Sequence, residues 1–307
     1  MSDIEIIDAH QHFWDLDANY LPWLRDEPQI PFRYGDYAAL KRNYMPADYR
    51  ADARGFRLVG SVFVETEWDR RDPVGETAWV AALREAEALP SVMVCHVALD
   101  SSDSAETLAR QAAFPFVRGV RHKPPAAARP DQVEPGAPGS MGDRNWRRGY
   151  ARLADHKLSF DLQTPWWHLD EAVALNHDYP DIPIILNHTG LPGDRSEAGL
   201  AGWRAAIRRF ARAPNVAVKI SGLGVRGERW SLARNREIIM AAIEAFGVER
   251  CMFASNFPVD SLIGDFATIY DGFAAATADL GRAAQQRLFA GTARAVYRID
   301  SAQGITG

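Results

Sequence analysis

The chain has 307 residues, which suits one large α/β barrel or two ordinary domains, and its 47% hydrophobic content is ordinary for a globular protein. Its formal net charge of −5 at pH 7 gives no electrostatic reason to expect nucleic acid or an anionic membrane surface as a partner. No basic leader and no run of about 18 apolar residues occurs, so we expect a cytoplasmic protein without a membrane span. Cys95 and Cys251 lie in apolar runs, which predicts reduced core residues.

Eight short apolar runs alternate with amphipathic stretches along the chain. Helical periodicity is clear in 75–89, 200–211 and 238–246. Near-continuous apolar strands separated by helices predict a parallel sheet covered on both faces. Eight such units in a chain of this length favour a closed, single-domain (β/α)8 TIM barrel over an open sheet. The predicted strands are 4–10, 58–66, 92–99, 116–122, 158–164, 182–188, 216–222 and 251–255.

One domain is expected over 1–300, followed by a C-terminal tail over 301–307, because no linker or repeat divides the chain. Long loops are predicted after strands one and four, the second of them a stretch rich in Pro and Gly over 123–145. Loops that follow the strands of a barrel form its catalytic face, so we expect the functional residues there.

Four of the eight histidines lie at or just beyond the carboxyl ends of predicted strands: His10, His12, His122 and His188. Residues i and i+2 of a strand share one face, so His10 and His12 can converge on one ion or one substrate. Neutral imidazole is a common ligand of zinc. Two plainer interpretations stay open: His12 simply begins a polar loop, or single histidines belong to the core.

Other predicted strand ends are polar as well. Glu65 ends strand two, Asp161 and Gln163 lie in strand five, and Lys219 lies in strand seven. A buried lysine or carboxylate needs a partner or a catalytic task. For Lys219 a structural ion pair inside the barrel is as good an interpretation as a functional one.

Aromatic and cationic side chains are frequent in the predicted loops. Indole faces pack against sugar rings, although the same residues could cap the barrel or bury a homo-oligomer interface. Arg226 and Arg229 follow strand seven and could bind a carboxylate with both guanidinium nitrogens. The loop tryptophans are Trp14, Trp23, Trp68, Trp166, Trp167 and Trp230.

Five sequence blocks, in order and spanning nearly the whole chain, carry a family resemblance. The blocks are IDAHQHFW (7–14), GVRH (119–122), LNHTG (186–190), VKISGL (218–223) and MFASNFPV (252–259). In these blocks the chain resembles the amidohydrolase-2 branch of the amidohydrolase superfamily, and within it the sugar-lactonase group of the L-fuconolactonase and 2-pyrone-4,6-dicarboxylate lactonase type.

The resemblance implies a barrel enzyme that opens a sugar-derived lactone, a small-molecule substrate, with activated water. By this likeness His10, His12 and His188 are catalytic and would hold a divalent metal. Members differ in whether they need a metal; we expect a weakly bound one, zinc in the first place, and no organic cofactor. Substrate-binding residues would be Arg121, His122, Lys219, Trp14, Trp166 and Trp167.

The chain departs from the family pattern at Asn256, where relatives usually carry an Asp that serves as general base, metal ligand or both. An amide cannot take up a proton at working pH and is a poorer metal ligand than a carboxylate. Asp260 and Glu65 are therefore the candidate replacement bases. Two alternatives stay open: a metal-dependent decarboxylase of the same superfamily, or a non-catalytic, repurposed barrel.

Overall fold

The computed structural model describes residues 3–300, and the predicted tail over 301–307 lies outside them. Eight parallel strands follow one another around one sheet in chain order. This arrangement confirms the predicted single-domain (β/α)8 barrel. The strands are β1 (Glu5–Gln11), β2 (Arg57–Val64), β3 (Val92–His96), β4 (Val117–Arg121), β5 (Ser159–Leu162), β6 (Ile184–Leu186), β7 (Val216–Ile220) and β8 (Cys251–Phe253).

Helices cover the outside of the sheet, and the three predicted helices are present with shifted ends. Helix α3 begins after the cap residue Asp72, whose side chain accepts from Gly75 N, and α7 begins after Ser196, which accepts from Gly199 N. The helices are α1 (Pro22–Arg25), α2 (Pro46–Asp52), α3 (Pro73–Glu87), α4 (Ser104–Ala112), α5 (Arg144–Ala151), α6 (Leu169–Asp178), α7 (Glu197–Phe210), α8 (Leu232–Phe246), α9 (Phe266–Ala276), α10 (Arg282–Gln286) and α11 (Thr292–Val296). No helix within 3–300 is long and apolar enough to cross a membrane.

Hydrogen bonds between β1 and the segment after β8 bring the two sheet edges together. Asn256 N donates to His10 O, and His12 N donates to Phe257 O, both at 2.8 Å. The buried Asp8 carboxylate reinforces the seam, because its Oδ1 accepts from Ser255 N at 2.8 Å. The seam therefore fixes His10 and His12 against Asn256.

A β-bulge re-aims the side chains at the end of β1. From Asp8 to Gln11 the strand advances three residues while β2 advances only two, from Ser61 to Phe63. An extra residue of this kind bends the strand and turns the following side chains. Ala9 still packs in the barrel interior, yet His10 also lies against the His188 ring across the barrel mouth. The simple i, i+2 alternation of the sequence is thus modified by the bulge.

Small and branched side chains fill the barrel interior, among them Val64, Val94, Ile185 and Ala254. A larger apolar layer packs between the strands and the helices. At the amino-terminal end the interior contacts Tyr297, which follows α11. The mouth at the carboxyl ends of the strands is left for polar side chains. Cys95 and Cys251 are buried and unpaired, as predicted.

All eight predicted strands overlap observed ones, but most end earlier than predicted. Glu65, His122, Gln163 and His188 each lie just beyond the last residue of their strand. Beyond the ladder the backbone is free to bend, and Asn187–Gly190 forms a tight 3-10 turn in which His188 has a φ of 54°. The polar residues therefore sit on the rim of the barrel.

Candidate active site

Three imidazoles meet at the floor of the barrel mouth. The ring centroid of His10 lies 5.0 Å from that of His12 and 4.6 Å from that of His188. Two of the rings are fixed through Nδ1, which lies 2.7 Å from Val64 O in His12 and 2.9 Å from Ser221 Oγ in His188. Both nitrogens of His10 are buried without a hydrogen-bond partner among residues 3–300. A buried polar group of this kind requires a partner such as water, an ion or substrate.

The surroundings keep these imidazoles neutral. Burial, and next the charge of Lys219, hold the pKa of His10 well below its ordinary value. Burial and Arg121 lower the pKa of His12 to about 3, and burial and Arg33 hold that of His188 well below the usual range. Neutral imidazoles can accept a hydrogen bond, donate one, or ligate a metal.

Asn256 and Asp260 form a hydrogen-bonded pair beside the histidines. Asn256 adopts a φ of 57°, and its Nδ2 donates to Asp260 Oδ1 at 2.6 Å. Tyr34 OH donates to the same oxygen at 2.9 Å, and the Arg33 guanidinium lies 3.6 Å away. Burial raises the pKa of Asp260 to about 6, a value suited to a general base near neutral pH.

Glu65 is engaged on both carboxylate oxygens. Its Oε1 accepts from Arg121 Nε at 2.7 Å, and its Oε2 accepts from Arg70 NH1 at 3.0 Å and from Glu67 N at 2.9 Å. Burial raises the pKa of Glu65, but the charges of Arg121 and Arg70 outweigh burial and hold it well below the ordinary value. A carboxylate so held is a weak base, so the geometry disfavours Glu65 and favours Asp260 in that role.

Lys219 forms an ion pair inside the barrel, which is one of the two interpretations that the sequence left open. Its Nζ is fully buried and lies 2.6 Å from Asp161 Oδ1, and Tyr297 OH donates to the same oxygen at 2.9 Å. Burial lowers the pKa of Lys219, while the Asp161 carboxylate opposes that effect. The ion pair lies below the histidines, inside the barrel, and Lys219 does not line the cavity where substrate would bind.

A cavity of about 380 Å³ opens above the histidines, a volume typical of small-molecule sites. Trp14 and Trp23 form part of its wall, together with Phe32. The indole N–H groups donate to backbone oxygens, Trp14 to Arg42 O at 2.7 Å and Trp23 to Thr66 O at 2.9 Å. Only the ring faces and edges remain for a ligand, and these suit apolar CH surfaces rather than hydroxyls.

Three predicted substrate-binding residues lie away from the cavity. Arg121 lines the cavity, whereas His122, just beyond the end of β4, accepts from Leu99 N at 3.1 Å and stacks on Trp146 at 6.4 Å. Trp166 packs against Gly202 of α7, and Trp167 donates to a backbone oxygen at 3.0 Å. None of the three lines the cavity, and their contact with substrate stays a prediction. Arg226 and Arg229 do not line the cavity either.

The sequence interpretation missed Arg33, Tyr34 and Lys123, which lie in or beside the cavity. Arg33 and Tyr34 belong to the long segment between β1 and α2, and Lys123 follows strand β4. The position of Lys123 just beyond a strand end was a usable signal. Nothing in the irregular segment around Arg33 indicates which of its residues turn inward.

The donor set bears on a metal ion in two ways. His10, His12 and His188 are neutral nitrogen donors, and the orphaned nitrogens of His10 are available to an ion. Yet within 3–300 no three His, Cys, Asp or Glu side chains form a group that could hold a metal, and Asn256 offers no carboxylate. Lys219 and Arg121 add positive charge nearby. The donor types suit an ion, but their arrangement within 3–300 is not that of a metal site, and the three-histidine site stays a prediction.

Comparisons with known proteins identify the family of this chain. The model of the amidohydrolase family matches residues 7–299. The uncharacterized protein y4mH of Sinorhizobium fredii is 38% identical over 97% of this chain and 100% of its own. The L-fucono-1,5-lactonase of Burkholderia multivorans is 30% identical over 95% and 96%. A crystal structure of an amidohydrolase from Burkholderia multivorans with bound Zn covers 96% of this chain and 99% of its own, with TM-score 0.77 and 27% identity.

The chain therefore belongs to the amidohydrolase family, as its sequence blocks predicted. Its relatives include lactonases, and zinc has been observed in one similar structure.

Proposed function

We propose that this protein hydrolyses a lactone derived from a sugar. One observation carries the proposal: three neutral imidazoles converge at the floor of an aromatic-walled cavity, beside a buried carboxylate whose pKa is raised to about 6. In the reaction the oxygen of a water molecule bonds to the lactone carbonyl carbon, the ring C–O bond breaks, and the ring oxygen takes a proton. The product is a hydroxy acid, which ionises and releases a proton.

Asp260 is the proposed general base. Asp260 lies next to the cavity-lining Asn256 rather than in the lining itself. Its ionised form at neutral pH can accept the proton of the attacking water, and the Tyr34 hydroxyl is the hydrogen-bonded neighbour able to relay that proton. Because Asn256 donates its amide N–H to Asp260, its own carbonyl oxygen is free to accept from that water. This pair would share the task that one Asp performs in relatives.

Arg121 shapes the opposite wall of the site. Its Nε and NH2 bond to Glu65 at 2.7 and 2.6 Å, and its NH1 bonds to Gln163 Oε1 at 3.1 Å. The guanidinium is thereby held rigidly against the mouth, where its charge favours a carbonyl oxygen that becomes negative in the transition state. Lys219 adds charge from beneath through its place next to His10.

The proposal includes a weak, exchangeable divalent metal, zinc in the first place, bound by His10, His12 and His188. When bound, such an ion would polarise the carbonyl and lower the pKa of water. Removal of the ion by chelator is expected to lower the rate, and re-addition of zinc to restore it. Full activity of the metal-free protein would remove the metal from the proposal without affecting the histidines.

The test is a proton-release assay on a panel of aldonolactones, with and without chelator. We expect saturable turnover of at least one five- or six-membered sugar lactone at neutral pH. Failure on the whole panel together with CO2 release from a carboxylated aromatic acid would favour the decarboxylase alternative. Failure in both assays would favour the non-catalytic barrel.

A further inference from the structure

The cations of the cavity wall differ in how well they are neutralised. Arg121 is engaged on all three of its nitrogens by Glu65 and Gln163. Lys123 forms a close ion pair with Glu67. Neither is free to bind a new anion without losing a short contact.

Arg33 has no short contact of this kind. Its NH2 lies 3.6 Å from Asp260 Oδ1 and its NH1 lies 3.5 Å from Gly222 O, whereas a charge-assisted N–H···O bond is about 2.7–2.9 Å long. The guanidinium carbon stands 4.5 Å from the centre of the Tyr34 ring, and 29% of the side chain is exposed. Arg33 is thus held in place by its ring neighbour while its hydrogen-bonding capacity is largely unused.

Gly222 brings Arg33 next to the reaction centre. This glycine has a φ of +61°, and a Cβ built on it would lie 2.6 Å from His188 Nδ1 and 2.8 Å from Arg33 NH2. The absence of a side chain therefore lets the imidazole and the guanidinium approach the same backbone position. A group bound by Arg33 would lie beside a substrate that rests on His188.

The charges that line the cavity leave a positive surplus. Three cations, Arg33, Arg121 and Lys123, face two carboxylates, Glu65 and Glu67, which gives +1. Both carboxylates are already paired with Arg121, Lys123 or Arg70. Of the three lining cations Arg33 is the one without a short partner, and its nearest carboxylate, Asp260 at 3.6 Å, lies outside the lining.

We propose that Arg33 binds a carboxylate of the substrate, and that the lactone is therefore the lactone of a sugar diacid rather than of a neutral sugar. The assignment deepens the proposed function and rests on it. A planar guanidinium with free N–H groups suits the two oxygens of a carboxylate, and the Tyr34 ring beneath it holds the guanidinium in place.

The experiment compares two lactones of one sugar that differ only in a terminal CH2OH or carboxylate, the aldonolactone and the aldarolactone. The protein should prefer the aldarolactone in kcat/KM by about tenfold or more, since a hydrogen bond to a charged group contributes about that much. Arg33→Gln should erase this preference, mainly through KM, and leave the aldonolactone nearly unaffected. Arg33→Lys should restore part of it. Arg229→Gln, an exposed arginine outside the cavity, is the matched control.

Equal losses on both lactones in Arg33→Gln would overturn the proposal, because they would place Arg33 at the reacting carbonyl or in the fold. A wild-type preference for the aldonolactone, or for a phosphorylated lactone over the carboxylated one, would also overturn it. If neither lactone is hydrolysed, the proposed function fails. Tartrate binding, followed by tryptophan fluorescence, then still decides on Arg33: binding by the wild type that is lost in Arg33→Gln supports the anion site, and any other result overturns it.

Discussion

Replacing Asp260 by Asn separates catalysis from stability in this site. The substitution keeps the shape and one acceptor oxygen, so Tyr34 OH can still donate to it, but it removes the group that takes up a proton. A positioned general base contributes about 10²–10⁴-fold to rate, so kcat/KM on a good lactone should fall by about 10²-fold or more. The rising limb of the wild-type pH profile, with an apparent pKa near 6, should disappear with it.

The same substitution should not lower stability at pH 8. Burial raises the folded-state pKa of Asp260 from 3.8 to about 6, so the folded protein holds this proton more tightly than the unfolded chain does. The stabilising effect of the protonated group is complete below pH 4 and is lost as pH rises through 6. A shift of about two units corresponds to about 3 kcal/mol, against which a new amide N–H without a partner costs about 1–3 kcal/mol. The net change at pH 8 is therefore between zero and a small gain.

Urea unfolding of the wild type and Asp260→Asn at pH 4, 6 and 8 measures the change in stability. Initial rates of both proteins from pH 5 to 8 measure the loss of the rising limb. Asp279→Asn, a change at a side chain that is 91% exposed, is the control for loss of a carboxylate. The reasoning is refuted if Asp260→Asn retains wild-type kcat/KM with its limb near pH 6. It is also refuted if the variant loses several kcal/mol at pH 8 while Asp279→Asn does not.

Three further changes test other parts of the site. Glu65→Gln should lower kcat/KM by about 10–100-fold, because Arg121 loses its charged partner and its fixed position, yet the pH limb near 6 should persist; a lost limb would make Glu65 the base. Lys219→Met should lower the unfolding free energy by about 3–5 kcal/mol in chemical denaturation, because it leaves Asp161 buried without its cation. The double variant Lys219→Met with Asp161→Leu should recover much of that loss. An unchanged unfolding free energy in Lys219→Met would contradict the ion pair. Asn256→Asp should raise the zinc content after dialysis and tighten the metal by about tenfold or more, because a carboxylate adds charge attraction; unchanged zinc content would place residue 256 outside the metal site.

The sequence was sufficient to predict the barrel and the central histidines. Strands buried on both faces are continuous apolar runs, and the carboxyl ends of parallel strands must meet at one mouth. His10, His12 and His188 are brought together for that reason.

The long loops account for what the sequence could not predict. Whether Trp166 contacts a sugar ring or Gly202 depends on how α7 packs, and Arg33 reaches the site only because its irregular segment folds over the mouth. For Lys219 the sequence offered two interpretations, and the 2.6 Å distance from its Nζ to Asp161 Oδ1 in the structure favours the ion pair. Tertiary distances of this kind leave no local pattern in the chain.

Isotope labelling tests the central claim, hydrolysis of a lactone by water activated in this site, most directly. The protein is incubated with its best lactone in oxygen-18 water, at an enzyme concentration at which the catalysed reaction far exceeds the uncatalysed one. The product is examined by mass spectrometry. We predict one oxygen-18 atom in the carboxyl group of the hydroxy acid, formed at a rate that falls about 10²-fold or more in Asp260→Asn. Label-free product, CO2 release, or labelling at the same rate in Asp260→Asn would contradict the account.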